Sequence, residues 1–116
     1  MASTICDGLA CIIGEELSSV EFVRDYVQLR FDGPVLTVLT PPTMQVDGEV
    51  YPWARLGFRD ALCAQIGHAV AHVSCYSDAL AIEFNTGSVF RISLRDEDYT
   101  GPEALMFTAA GKYWVV

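Results

Sequence analysis

The feature that most constrains this chain is an internal repeat at an offset of 53 residues. When residues 7–31 are aligned with residues 60–84, seven of the 25 positions are identical. About two identities would be expected from average amino-acid usage. The identical pairs are Asp7/Asp60, Leu9/Leu62, Ile13/Ile66, Gly14/Gly67, Val20/Val73, Asp25/Asp78 and Phe31/Phe84. A chain with such self-similarity is expected to fold as two related units.

Both copies have the same predicted order of elements. Apolar residues at helical spacing precede Gly14 in one copy and Gly67 in the other, where glycine can end a helix in the left-handed conformation. Three apolar segments of strand character then follow, separated by turn residues. Their predicted bounds are 20–23, 27–31 and 35–40 in the first copy, and 70–76, 80–84 and 88–94 in the second. Each unit is therefore predicted to be a short helix followed by a three-stranded antiparallel meander.

Three segments lie outside the repeat, namely a connector, an acidic loop over residues 95–99 and a C-terminal tail. Pro41-Pro42 ends the first meander because proline cannot donate to a strand ladder. Within the connector over residues 41–56, Asp47-Gly48 predicts the turn of a small hairpin. Residues 103–116 are predicted to form a terminal hairpin, and a helical turn beginning at Pro102 is the alternative.

The predicted fold class is α+β. A chain of 116 residues has the size of one domain, so we expect a single domain over residues 1–116. Within it, units over residues 4–40 and 57–94 would be related by a pseudo-twofold axis. One helix on three strands is a thin core, and the two units are therefore expected to pack together or to join their sheets. The sequence leaves the order of the strands open.

The charge of the chain restricts its partners. Fifteen acidic residues face seven basic ones, which gives a net charge of −8. Such a chain repels phosphate backbones, so nucleic acid and anionic membranes are poor partners, and a basic protein is the more compatible one. The alternative is that the acidic surface serves only to keep a small domain from associating.

The four cysteines are Cys6, Cys11, Cys63 and Cys75. Their spacing matches no zinc site and no C-x-x-C redox motif. The apolar run from Leu9 to Ile13 is too short for the core of a signal peptide. We therefore predict a cytoplasmic chain with reduced thiols, in which the cysteines serve as small buried hydrophobic residues.

Candidate catalytic and metal-binding residues are few. His68 and His72 would share one face of a helix, but in a strand they would lie about 13 Å apart, too far to bind one ion. Cys63 precedes these histidines without an orienting third group, which a cysteine nucleophile needs. We therefore assign no catalytic residue, no metal site and no cofactor, and an enzyme is the least favoured class.

An interaction surface is the better supported kind of site. The chain is 52% apolar, more than a domain of this size needs for its core. The surplus predicts a homodimer or another apolar contact. The residues assigned to this surface are Tyr51, Trp53, Asp96, Glu97, Asp98, Tyr113 and Trp114.

Five short segments also bear on the family of the chain. They are Tyr26-Val27-Gln28-Leu29, Gly57-Phe58-Arg59-Asp60-Ala61-Leu62-Cys63, Ile66-Gly67, Ser93-Leu94-Arg95 and Gly101-Pro102-Glu103-Ala104. In these segments the chain resembles a family of short bacterial proteins of unknown function. The resemblance covers nearly the whole chain and implies a self-standing bacterial domain. It implies no catalytic or binding residue.

The function itself is not fixed by the sequence. The first hypothesis is a small acidic protein-interaction module, for example an immunity or inhibitor protein that neutralises a basic toxin or nuclease. The second is a domain that binds a small ligand in a pocket between the two repeats. The third is an enzyme that uses Cys63, His68, His72 or the acidic loop.

Overall fold

The computed structural model describes residues 2–116. Within them the chain forms two short helices, α1 (Ala2–Leu9) and α2 (Phe58–Cys63), and ten strands. The strands are β1 (Ser19–Val23), β2 (Tyr26–Arg30), β3 (Val35–Val38), β4 (Thr43–Val46), β5 (Glu49–Pro52), β6 (Val70–Cys75), β7 (Ala79–Phe84), β8 (Val89–Ser93), β9 (Leu105–Ala109) and β10 (Lys112–Val115). Single turns of 3₁₀ helix cover Ala10–Ile12 and Asp96–Asp98. The predicted α+β class is confirmed.

The strands form two five-stranded antiparallel sheets. The first sheet has the order β1-β2-β3-β9-β10, and the second has the order β5-β4-β8-β7-β6. Strands β1 to β3 form one meander and strands β6 to β8 form the other, over the two segments in which alternating apolar residues predict them.

The two hairpins exchange places between the halves of the chain. The hairpin β4–β5 follows the first meander in sequence, yet β4 pairs with β8 of the second, with Met44 opposite Phe90. The hairpin β9–β10 follows the second meander, yet β9 pairs with β3 of the first, with Leu36 opposite Phe107. Each sheet therefore combines a meander from one half with a hairpin from the other. The helical alternative for the residues after Pro102 is not adopted.

Both sheets contribute to one hydrophobic core. Val27 and Leu29 of β2 are fully buried, and so is Ile82 of β7. These side chains form a single cluster with residues of both helices and both hairpins. Burial of one such side chain stabilises the fold by about 1.5 to 3 kcal/mol, so the alternating pattern fixes which face of each strand points inward.

The segments that follow the two helices pair with each other. Gly14 N–H donates to Val70 O and Gly67 N–H donates to Leu17 O, each at 2.8 Å. Leu17 N–H donates to His68 O at 3.1 Å, and Val70 N–H donates to Glu15 O at 3.0 Å. An offset of 53 residues converts the first bond of each pair into the second. The two glycines have nearly equal φ values of 88° and 89°, which favour glycine.

Each helix lies beside edge strands of both sheets. Helix α1 contacts β6 and β10, and we call this side of the molecule the α1 flank. Helix α2 contacts β1, β4 and β5, and we call this side the α2 flank. Because β1 and β5 are edges of different sheets, α2 brings side chains from both sheets together.

The cysteines differ from the prediction. Cys6 of α1 and Cys75 of β6 form a disulfide, with their Cα atoms 6.2 Å apart. Cys11 and Cys63 are free and exposed. The prediction of four reduced, buried cysteines is therefore wrong in this structure, because contact between α1 and β6 places the first and last cysteines side by side.

In the part of the chain that the structure describes, no helix is long and apolar enough to cross a bilayer.

Candidate functional site

Three of the seven basic residues line one surface pocket on the α2 flank. The pocket has a volume of about 510 Å³. Arg24 comes from the turn between β1 and β2, whereas Arg55 and Arg59 come from the segment before α2 and from α2 itself. Trp53 and Leu56 also line the pocket. We call Arg24, Trp53, Arg55, Leu56 and Arg59 the arginine face.

The segment between β5 and α2 is held by two successive turns. Arg55 N–H donates to Pro52 O at 2.9 Å, and Phe58 N–H donates to Arg55 O at 3.1 Å. Gly57, directly before Phe58, has a φ of 100°, at which a residue with a side chain is strained. A Cβ atom at Gly57 would also lie 3.1 Å from the ring of Tyr51. These constraints fix a backbone that directs Leu56 into solvent, with 97% of its surface exposed.

Trp53 joins the elements of this flank. Its ring lies 5.3 Å from the ring of Phe58 in an edge-to-face arrangement, and 6.4 Å from the ring of Phe22 on β1. Such aromatic pairs contribute about 0.5 to 1.5 kcal/mol beyond the area they bury. Phe58 is buried and Trp53 is half-buried, so the indole is anchored on one side and accessible on the other.

Two of the three guanidinium groups lie over aromatic rings. The Arg55 guanidinium is 4.5 Å from the centre of the Tyr51 ring, and that of Arg59 is 4.8 Å from the centre of the Phe22 ring. Arg55 also donates to Glu49 Oε2 at 2.7 Å and to Val50 O at 2.6 Å. Cation–π contacts at exposed sites are worth about 0.5 to 1 kcal/mol, which is enough to bias the orientation of these side chains.

Arg24 has a left-handed backbone conformation, as do Asp32, Asp47 and Ala110. It occupies the two-residue turn between Val23 and Tyr26 at a φ of 44°, in the region that favours glycine. A non-glycine residue there costs about 1 to 2 kcal/mol. Among residues 2–116, neither Arg24 nor Arg59 takes part in an ion pair. Backbone strain of this kind is often found at functional positions.

The predicted acidic loop forms a different pocket. Asp98 lines it together with Asp78, Arg91 and Arg95, in a volume of about 420 Å³. The backbone N–H of Glu97 and its ion pair with Arg95 lower the pKa of the Glu97 carboxyl. The side-chain hydrogen bond between Arg95 and Glu97 also raises the pKa of Arg95. The lining of this pocket holds two aspartates and two arginines, so its formal charges balance.

The predicted aromatic residues of the tail lie on the α1 flank. Trp114 of β10 packs against Phe107 at a ring distance of 5.5 Å. The indole also covers Gly8, where an added Cβ atom would be 2.6 Å from the ring. Tyr113 is exposed and its hydroxyl donates to the sulfur of Met106 at 3.2 Å.

The seven residues predicted as an interaction surface therefore do not line one pocket. Tyr51 and Trp53 border pockets of the α2 flank, Asp98 borders the pocket beside the acidic loop, and Trp114 borders a pocket of the α1 flank. The structure brings Tyr51 and Trp53 together with arginines that the sequence prediction did not include.

The histidines and free thiols lie on the surface. His68 and His72 are exposed, as are Cys11 and Cys63. Partial burial of its sulfur raises the pKa of the Cys11 thiol, and the charge of Glu15 adds to this effect. Within residues 2–116, no three His, Cys, Asp or Glu side chains converge on a point that could hold a metal ion.

Comparison with known proteins adds no relative to this description. No protein-family model, no curated protein and no solved structure matches the chain.

Sequence reasoning missed Arg24, Arg55, Leu56 and Arg59. Arg55 and Arg59 are four residues apart on either side of a predicted helix start, which was a detectable signal for one shared surface. Arg24 joins them only because α2 contacts β1, and this contact between distant segments leaves no local pattern.

Proposed function

We propose that this chain is a protein-interaction module and that its partner docks on the arginine face. The observation that carries this proposal is the exposure of Leu56, of which 97% is accessible. The other large hydrophobic residues on the surface are only 41% to 61% exposed. A docked partner that covers Leu56 would remove its apolar surface from water, and this burial favours association.

The composition of the face supports the same proposal. Tryptophan, tyrosine and arginine are the residues that most often dominate the binding energy of protein interfaces. Trp53 is already braced by Phe22 and Phe58, and Arg55 is held by Glu49. Because these side chains are ordered before binding, less conformational entropy is lost when a partner covers them.

We further propose that the two halves of the chain are duplicated units related by a pseudo-twofold axis. The reciprocal bonds around Gly14 and Gly67 support this relation, since the offset that aligns the sequences also exchanges the bonds. The exchange of hairpins supports it too, because each meander receives its hairpin on the corresponding strand, β3 or β8.

The other expectations about partners and family stay predictions. A basic protein would meet the acidic loop, and an immunity or inhibitor role would follow from such a partner. Homodimer formation, a cytoplasmic location and membership of a bacterial family are likewise proposals. A species in light scattering at twice the chain mass of 12.7 kDa would support the homodimer.

The proposed function is tested by capture of partners from the native lysate with a matched pair of variants. Leu56→Ser removes the exposed leucine of the arginine face, whereas Tyr113→Ser removes an exposed aromatic residue of β10 that lies elsewhere. The bound proteins are quantified by mass spectrometry. We expect a stoichiometric partner that is retained by the wild type and by Tyr113→Ser and is lost by Leu56→Ser.

Two outcomes contradict the proposal. Equal retention of the partner by both variants would place the interface elsewhere on the chain. Loss of the partner only with Tyr113→Ser would move the interface to β10. Thermal unfolding of each variant, compared with the wild type, excludes misfolding as the cause because Leu56 is almost free of packing contacts.

A further inference from the structure

The arginine face is a locally basic site on an acidic chain. The net charge is −8, yet three of the seven basic side chains line this one pocket. Asp60 is the acidic residue in the pocket wall. Glu49 forms an ion pair with Arg55. At physiological salt, charges more than about 8 Å away are largely screened, so the nearby arginines determine what binds here.

Two of these arginines have guanidinium N–H groups that no acceptor in the described chain binds. In the described chain, the guanidinium groups of Arg24 and Arg59 make no hydrogen bond to a protein acceptor and no ion pair. A guanidinium presents a planar fork of N–H groups that matches the two oxygens of a carboxylate. The site is therefore complementary to paired carboxylates.

The backbone at Arg24 favours the same reading. Its φ of 44° lies in the region that glycine adopts at the least cost. The arginine at this position brings a long cationic side chain to the pocket, which a glycine would not do. An arginine there has a physical use if it binds an anion.

A second pocket adjoins the first. It has a volume of about 390 Å³ and shares Gly57 and Asp60 with the arginine pocket. Val46, Tyr51 and Ala61 give it an apolar wall. An occupant of both pockets would combine carboxylates with a neighbouring aliphatic side chain.

We infer that the partner is an acidic protein segment, with carboxylates bound by Arg24 and Arg59 and an aliphatic side chain in the pocket beside Tyr51. This inference rests on the proposed function and specifies the chemistry of its partner. It differs from the basic partner that the net charge favours, because the local charge of the face has the opposite sign to that of the chain.

The test is isothermal titration of the full chain with a short peptide of glutamates around a central leucine, at physiological ionic strength. The matching peptide with glutamines in place of glutamates is the control ligand. We expect the glutamate peptide to bind the wild type, and about tenfold weaker binding to Arg24→Gly and to Arg59→Gln, since each removes a charged hydrogen-bond donor.

Two matched variants control for backbone and charge. Ala110→Gly relieves a similar φ of 51° in the β9–β10 turn, and Arg91→Gln removes an exposed arginine that lies over the Tyr76 ring. Both should bind the peptide as the wild type does. Arg24→Gly should unfold at or above the temperature of the wild type, which separates lost binding from lost folding.

The inference is overturned if the glutamine peptide binds equally well, or if the arginine variants keep the affinity of the wild type. Binding of inorganic phosphate in place of the glutamate peptide, with the same dependence on arginine, would also overturn it and make the site a phosphate site. A natural partner that depends on Leu56 but not on Arg24 or Arg59 would leave the proposed function standing and refute only the acidic segment.

Discussion

The two flanks of the molecule differ in how the helix is held against the edge strands. On both, a short helix lies beside edge strands of two sheets. The α1 flank is fastened by the Cys6–Cys75 disulfide, and Trp114 lies over Gly8. The α2 flank has no covalent link and relies on the contacts of Trp53 with Phe22 and Phe58. The α1 flank is therefore held by a covalent bond as well as by packing, whereas the α2 flank depends on packing and exposes Leu56 and its arginines.

The largest expected difference between the flanks concerns the disulfide. The bond closes a loop with a sequence separation of 69 residues, and the loss of such a cross-link costs about 4 kcal/mol through the entropy of the unfolded chain. We expect Cys75→Ser to lower the free energy of unfolding in urea by about this amount. Cys63→Ser, at an exposed free thiol of α2, should change it by less than about 0.5 kcal/mol. Equal stability of the two variants would refute the pairing.

The next effect tests the close approach of Trp114 to α1. A Cβ atom at Gly8 would lie 2.6 Å from the indole, so Gly8→Ala must displace the ring. We expect a loss of up to about 3 kcal/mol in unfolding experiments. Gly101→Ala is the control, because no atom lies within 4 Å of an added Cβ there. A neutral Gly8→Ala would show that Trp114 is not fixed against the helix.

A smaller effect is expected at Gly57 of the α2 flank. Gly57→Ala meets both a φ of 100° and the ring of Tyr51 at 3.1 Å. Its predicted cost is about 1 to 2 kcal/mol. Gly14→Ala has a similar positive φ but open space around the added atom, so it isolates the backbone contribution. The difference between the two variants measures the Tyr51 contact, and identical losses would show that this contact carries no stability.

The smallest effect concerns the free thiol near the α1 flank. Because partial burial raises the pKa of Cys11, its thiolate forms at higher pH than in the unfolded chain. The stabilisation from the protonated thiol is present below the unfolded pKa and is lost as pH rises through the folded pKa. In Cys63→Ser, iodoacetamide at pH 8 should therefore label Cys11 more slowly in the native chain than in urea. Equal rates would contradict the assigned shift.

Much of the secondary structure could be predicted from the sequence because the contacts that determine it are local. The apolar residues of β2 alternate with polar ones, and the large apolar residues of β7 alternate with alanine or glutamate. Short turns join the strands of each meander, so period and turn residues are sufficient. The strands that pair with the β4–β5 and β9–β10 hairpins could not be predicted in this way. The pairing of these hairpins with β8 and β3 depends on contacts between distant segments, which no local spacing specifies.

The same limit applies to the site. Tyr51 and Trp53 could be predicted as surface aromatics from composition and position, but their arginine neighbours depend on the contact of α2 with β1. The disulfide was missed for a related reason. Cys6 and Cys75 are far apart in sequence, and only the packing of α1 against β6 makes them neighbours.

The exchanged hairpins have a consequence for synthesis on the ribosome. Strand β3 gains its second neighbour only when residues 105–109 have been translated and have left the ribosomal exit tunnel. Until then the first half of the chain carries an unpaired strand edge, which is a template for association with other chains. Completion of the first sheet must therefore wait until translation has passed through the second half, and a stalled or shortened chain would expose the middle of a sheet.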